Sequence, residues 1–213
     1  MSTNTATPTR SERADAITVI LYAAAALVIV GIVTVMRALD TFRADGIAWS
    51  IPIDEQPIEA TVDSGSIPVE GIAQQAMVLA PDVNAVSVAA IIAALALWAL
   101  AALAIIAAVA LVAWNFLRGR FFVRGNARAF DVIGWTLVLA PLLIVMLETM
   151  GRNGVTAALG LSAAEPAHPI EFWAIAPIFA TGVTVGLIAV AFRRGIRVQQ
   201  ERDSLADDTR GLV

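Results

Sequence analysis

Few side chains in this sequence are of the types that catalyse reactions or bind metals. Cysteine and lysine are absent, and histidine occurs once, at His168. Without cysteine or a second histidine, the chain lacks the usual ligands of a zinc or iron–sulfur site, and without lysine it lacks a Schiff-base amine or a phosphate-binding lysine. We therefore expect no metal, no cofactor and no enzymatic activity, and interpret His168 as a loop residue.

Two carboxylates are the remaining candidates for acid–base chemistry. Glu148 and Glu171 flank the ends of two apolar segments. An enzyme that acts on lipid at the membrane surface would need both carboxylates to converge. Carboxylates at helix ends are ordinarily solvated, so this chemistry is an alternative rather than the main interpretation.

Arginine is the only strong cation of the chain, and its positions form two clusters. Guanidinium groups bind phosphate and carboxylate through paired hydrogen bonds. We interpret the clusters as candidate contacts for anionic lipid or for a cytoplasmic protein partner, and expect no direct binding to nucleic acid. The candidate residues are Arg118, Arg120, Arg124, Arg128, Arg193, Arg194 and Arg197.

The distribution of apolar residues predicts the elements that carry these side chains. Of the 213 residues, 59% are hydrophobic and 15% are charged, whereas a soluble domain has about 25% charged residues. The apolar residues form four blocks, three of them near the roughly 20 residues that a helix needs to cross a bilayer and the second longer. The sequence therefore predicts an all-α membrane protein with a four-helix transmembrane bundle.

The blocks divide the chain into nine segments. The transmembrane helices are predicted at 16–36, 85–117, 132–150 and 172–192. The segments between and beside them are a disordered tail (1–15), an extracytoplasmic segment (37–84), an arginine-rich cytoplasmic loop (118–131), an extracytoplasmic loop (151–171) and a cytoplasmic tail (193–213). Asn126 is predicted to be the N-cap of the third helix.

The first extracytoplasmic segment contains a pattern typical of a β-hairpin. Apolar and polar residues alternate over 58–62, 63–66 is rich in turn residues, and 67–70 is apolar enough to return. A small β-structured insertion between helices 1 and 2 is predicted. A structureless acidic loop is the alternative, because Pro68 weakens the return strand.

The arginine count predicts the orientation. Two arginines lie in 1–15, four in 118–131 and five in 193–213, against two in 37–84 and one in 151–171. The positive-inside rule then places both termini in the cytoplasm. Abundant arginine without lysine, beside much alanine and valine, is typical of a bacterium with a G+C-rich genome, so we expect a bacterial cell membrane.

Gly182 and Gly186 have the spacing that lets two transmembrane helices approach closely. We interpret them as candidate helix-packing residues. The pattern does not predict an oligomeric state.

Two segments, Asn115–Arg128 with Gly134-Trp135 and Ala191–Leu205, resemble a family of small bacterial membrane proteins known as domain of unknown function 2975. The resemblance implies four spans with a larger first outer loop, no enzyme chemistry, and a regulatory pairing with a small helix-turn-helix protein. The positions that carry the family's inner-loop and C-terminal patterns are Gly119, Phe122, Asn126, Phe192, Gly195 and Glu201.

The function that these observations favour is a non-enzymatic sensor, regulator or scaffold in the membrane. A small permease or export accessory subunit is the main alternative, with a pathway near Pro141 and Pro177. Spans without charged residues in their interior argue against proton coupling but permit the passage of an apolar solute.

Overall fold

The computed structural model describes residues 10–62, 67–161 and 169–210. In this part of the chain, four helices are long and apolar enough to cross a membrane. The predicted helical architecture with four candidate spans is therefore confirmed. In chain order the elements are α1 (Arg10–Thr41), β1 (Phe42–Arg43), β2 (Gly46–Val62), β3 (Ile67–Ala80), α2 (Ala85–Leu117), α3 (Arg124–Ala158) and α4 (Pro169–Arg210).

Helix α2 has the bounds that the sequence predicts, and its ends show why. At its start, the side-chain oxygen of Asn84 accepts a hydrogen bond from the Ser87 amide at 3.0 Å, as an N-cap does. At its end, Gly119 has a φ of 68°, in the left-handed region that favours glycine. The N-cap at Asn84 and the left-handed Gly119 both adjoin the apolar block, so the block and the helix have the same bounds.

The other three helices extend beyond their predicted spans. Helix α1 starts at Arg10 instead of residue 16, so 10–15 is helical rather than a disordered tail; 1–9 lies outside the described residues. Helix α3 covers part of both predicted loops beside it, and α4 continues to Arg210. Apolar periodicity marks only the part of a helix that suits lipid, whereas alanine, arginine, glutamate and glutamine continue a helix equally well in water.

The predicted β-structured insertion is confirmed as a three-stranded antiparallel sheet in the order β1-β2-β3. Ile58 pairs with Gly71 and Val62 with Ile67, so the predicted strands do pair, and the alternative of a structureless loop is wrong. Both long strands extend well beyond the predicted 58–62 and 67–70. The part of β2 before residue 58 was not predicted as a strand, because it contains Pro52 and Pro57 and proline is rare inside strands. The predicted turn at 63–66 lies outside the described residues.

The chain forms two compact units. The arginine unit comprises the described residues of 1–34, 95–145 and 167–213, and its core includes Ala108, Ala129 and Ile133. The sheet unit comprises the described residues of 35–94 and 146–166, where Ile91 and Val155 are almost fully buried. All seven candidate arginines belong to the arginine unit.

Small residues allow close packing inside the sheet unit. A Cβ atom added at Gly151 would lie 2.6 Å from Cγ1 of Ile91, and one added at Gly154 would overlap the side chain of Ser87. The start of α2 and the end of α3 therefore pack together at positions that only glycine permits on α3.

Candidate functional site at the arginine-rich turn

The turn that joins α2 to α3 is short and tightly hydrogen-bonded. The Gly119 amide donates to the Phe116 carbonyl and the Arg120 amide to the Asn115 carbonyl, each at 2.9 Å. Together with the left-handed Gly119, these bonds end α2 and reverse the chain within residues 118–123. The turn thus holds Arg118 and Arg120 on a defined backbone.

A buried amide fastens this turn to α3. The Asn126 side chain has no solvent exposure. Its Nδ2 donates to the carbonyls of Arg120 (3.1 Å) and Phe121 (2.8 Å), while its Oδ1 accepts a hydrogen bond from Nδ2 of Asn115 at 2.7 Å. Both donors and the acceptor are used, which is what burial of an amide requires.

The predicted N-cap role of Asn126 is wrong. Helix α3 starts two residues earlier, and the carbonyl of Val123 accepts hydrogen bonds from the Asn126 and Ala127 amides. Asn126 therefore lies inside the first turn, and its side chain points back to the loop. Sequence reasoning also missed Asn115, whose participation follows from the reversal of the chain and not from a local motif.

Aromatic rings connect α4 to the same region. The Phe192 ring lies 5.6 Å from that of Phe122 and 4.9 Å from that of Phe130. A Cβ atom added at Gly195 would lie 2.9 Å from Cε1 of Phe122, so a larger residue there would displace the ring. The part of α4 around Phe192 and Gly195, where its polar segment begins, is thereby held beside the arginine-rich turn.

The seven candidate arginines are all exposed, but they differ in their partners. The Arg118 guanidinium lies 4.7 Å from the centre of the Trp114 ring, a cation–π arrangement. Nη1 of Arg193 donates to both carboxylate oxygens of Asp131, at 2.7 and 2.5 Å. Asp131 was missed by the sequence reasoning because 62 residues separate it from Arg193.

Apart from Arg193 with its ion pair and Arg118 with its ring contact, five candidate arginines have neither kind of contact with any residue in the described part of the chain. They lie in the turn or the first turns of α3, and on the polar part of α4. They are exposed and carry five positive charges that described carboxylates do not pair with. These residues are Arg120, Arg124, Arg128, Arg194 and Arg197.

Gly182 and Gly186 lie where α4 passes α3. A Cβ atom added at Gly134 would be 3.1 Å from the Gly182 carbonyl oxygen and 3.2 Å from the Gly186 nitrogen. One added at Gly182 would be 2.9 Å from Cγ2 of Val138, whereas one added at Gly186 would meet nothing within 4 Å. Gly134 and Gly182 thus set the distance between the two helices, and the Gly186 side faces open space.

Of the two candidate acids, only the side chain of Glu148 lies among the described residues. Glu148, in the sheet unit, accepts a hydrogen bond from Nη2 of Arg37 at 2.7 Å. The side chain of Glu171 and all of His168 lie outside the described residues. Among the residues that are described, no group of three His, Cys, Asp or Glu side chains is placed to hold a metal ion.

An apolar crevice of about 390 Å³ opens in the arginine unit. The rings of Phe116, Phe121 and Phe130 line it, together with aliphatic side chains of α1, α2 and α3. Asp15 of α1 is the one charged residue in its lining. The crevice therefore has the character of a site for an apolar chain, with a carboxylate at one position.

No protein-family model matches this chain, and neither a curated protein nor a solved structure is significantly similar to it. The resemblance to domain of unknown function 2975 therefore stays a prediction. Of its positions, Gly119, Phe122 and Asn126 lie in the turn and the start of α3, and Phe192 and Gly195 of α4 lie beside the Phe122 ring. Glu201 lies farther along α4 and is exposed.

Proposed function

We propose that the protein is a non-enzymatic, multi-pass sensor or scaffold of a bacterial cell membrane. In this proposal the arginine unit ends in the cytoplasm and presents a basic surface to an acidic protein partner. The sheet unit lies outside and receives the signal. The observation that carries the proposal is the group of five exposed arginines that form no ion pair with a described residue, beside a turn that is fastened by the buried Asn126.

The fastened turn supports docking because it reduces the cost of ordering the surface. A flexible loop would lose conformational entropy when a partner binds, whereas the backbone of Arg120 is already held by two hydrogen bonds, one through its amide and one through its carbonyl. Guanidinium groups on such a scaffold can form paired hydrogen bonds to partner carboxylates. The surface therefore suits a protein whose interface is acidic.

The length of α4 supports a cytoplasmic extension. Its 42 residues would be about 63 Å long, roughly twice the hydrocarbon thickness of a bilayer. Arg193, Arg194 and Arg197 follow its apolar part, and positive charge on one flank of a span favours the cytoplasmic side. The helix beyond Phe192 is then available to a partner in water.

The sheet supports an extracytoplasmic receiving role. Segment 37–84 contains eight acidic residues against two arginines, so it lacks the charge that retains a loop in the cytoplasm. Strands β2 and β3 form a paired, folded structure there rather than a short connection. A folded insertion of this size offers a surface for an envelope ligand.

The test is photo-crosslinking of the tagged protein in its native membrane with an amine-reactive diazirine, which attaches to lysines of the partner and inserts into this lysine-free chain. Purification in mild detergent and mass spectrometry follow. We expect a partner whose crosslinks map to 118–128 or 193–210. Changing Arg120, Arg124 and Arg128 together to glutamine should abolish the crosslinks. Changing the same three to lysine, which keeps the charge and the topology signal, should preserve most of them.

Recovery of the same partner at the same yield from the glutamine variant would overturn the docking proposal. So would crosslinks that map only to 46–80. A labelling check that the glutamine variant keeps its topology separates loss of docking from inversion in the membrane.

The permease alternative has one supporting observation, the apolar crevice among α1, α2 and α3. A transported apolar solute would enter there. Liposomes that contain the purified protein should then show solute flux above protein-free liposomes, and the Val112→Phe variant, which narrows the crevice, should reduce that flux. Equal flux with and without protein across a broad solute panel would remove this alternative.

A further inference from the structure

The crevice of the arginine unit has a shape and lining that fit a hydrocarbon chain. Its wall combines the rings of Phe116, Phe121 and Phe130 with Val109 and Val112, and almost no polar surface. Helix α1 supplies Val19 on the other side. Because these helices are apolar enough to cross a membrane, lipid is the molecule that reaches such a crevice first.

The single charged residue in the lining is Asp15. Its side chain is exposed and forms no ion pair with a described residue. The positions three and four residues away on α1, where a helical ion-pair partner would lie, are Ser11, Glu12, Thr18 and Val19. Asp15 can therefore accept hydrogen bonds from a cation that arrives with the ligand.

The chain neighbour of one crevice residue is an arginine. Phe121 lines the crevice, and Arg120 precedes it directly, exposed and without a carboxylate among the described residues. The Asn126 side chain donates hydrogen bonds to the carbonyls of both residues, so the backbone that carries Arg120 is held in place next to Phe121. A phosphate group near this turn would meet a positive charge on a rigid scaffold.

We propose that this crevice binds one phospholipid whose headgroup carries a primary ammonium group. The acyl chain occupies the apolar crevice, the ammonium group donates to Asp15, and the phosphate is held by Arg120. A choline headgroup has no N–H to donate, and a glycerol headgroup adds no cation to balance Asp15. The proposal rests on the helices crossing a membrane. It shares Arg120 with the proposed docking surface, but Asp15→Asn tests lipid binding without changing that surface.

The test is native mass spectrometry of the full-length protein in mild detergent. It is titrated separately with palmitoyl-oleoyl phosphatidylethanolamine, phosphatidylcholine and phosphatidylglycerol. We expect the ethanolamine lipid to bind about tenfold more tightly than the other two, the difference that one charge-assisted hydrogen bond supplies. Asp15→Asn should remove this preference, while Asp40→Asn, a matched change at the other end of α1, should keep it.

Two further variants separate the acyl-chain and phosphate contributions. Val112→Phe should weaken the binding of all three lipids by a similar factor, and Arg120→Gln should weaken all three while the preference for ethanolamine persists. A variant is included only if its elution volume in size-exclusion chromatography and its helical circular dichroism match those of the parent protein. A preference that survives Asp15→Asn, or tightest binding of phosphatidylglycerol by the parent protein, would overturn the proposal.

Discussion

The arginine unit and the sheet unit of this protein are held together by different kinds of interaction. In the arginine unit, one buried amide and three phenylalanine rings fasten the turn between α2 and α3. In the sheet unit, a backbone ladder joins β2 to β3, and glycines on α3 admit the side chains of α2. The turn in the first unit therefore depends on particular side-chain contacts, whereas the second unit depends on backbone hydrogen bonds and on the small size of its glycines.

The largest effect should follow from a change to the amide. Asn126→Asp replaces two hydrogen-bond donors by a carboxylate that faces the carbonyls of Arg120 and Phe121, so we expect a loss of about 3 kcal/mol or more in the free energy of unfolding. Unfolding followed by tryptophan fluorescence in mild detergent measures this loss. Asn153→Asp, an exposed site on the same helix, is the control and should change stability little. Equal stability of the two variants would show that the buried amide does not hold the turn.

The next effect tests volume in the sheet unit. Gly154→Ala places a methyl group against Ser87, which we expect to cost about 1–3 kcal/mol through overpacking. Adding Ser87→Gly should recover part of that loss, and a double-mutant cycle in the same unfolding assay measures the coupling. Gly31→Ala, where an added Cβ meets nothing within 4 Å, is the matched control and should be neutral or slightly stabilising. Absence of coupling would contradict the close packing of α2 on α3.

A smaller effect of the same kind should appear in the arginine unit. Gly182→Ala brings a methyl group close to Val138 and to the Gly134 carbonyl, with an expected loss of about 1–2 kcal/mol. Gly186→Ala points into open space and should cost nearly nothing, although both glycines belong to one spacing motif. The midpoint of thermal unfolding, measured for the two single variants and the parent protein, tests this difference. A larger loss for Gly186→Ala than for Gly182→Ala would refute the packing described for α4.

The smallest effects concern one exposed ion pair in each unit. Arg193 with Asp131 and Arg37 with Glu148 have similar distances and similar solvent exposure. Such pairs contribute about 0–1 kcal/mol, so Asp131→Asn and Glu148→Gln should each lower stability by no more than that, and high salt should erase the difference. A salt-resistant loss at only one pair would show that its unit shields the charges from solvent.

The sequence predicted those parts of the fold that depend on local composition. The bounds of α2 followed from an apolar block that is flanked by Asn84 and Gly119. The pairing of 58–62 with 67–70 followed from alternation around a turn signal. Helices α1, α3 and α4 continue beyond the predicted spans, because the apolar block reports the lipid-compatible part of a helix and not its hydrogen-bonded length.

The candidate site was predictable in its charges but not in its contacts. The arginine clusters are visible in the sequence, and Asn126 was noticed as a residue near a helix start. Its bonds to Asn115 and to two loop carbonyls depend on where α3 begins, which a capping rule placed three residues too late. Asp131 and Asp15 acquire their neighbours only through the packing of distant segments.

The proposed topology has the arginine unit ending in the cytoplasm and the sheet outside, and the absence of cysteine allows a direct measurement. Glu70→Cys in β3 and Glu201→Cys in α4 each introduce one exposed thiol. With a membrane-impermeant maleimide on intact cells, we expect Glu70→Cys to be labelled at once and Glu201→Cys only after the membrane is permeabilised. The reverse pattern, or labelling of both in intact cells, would contradict it.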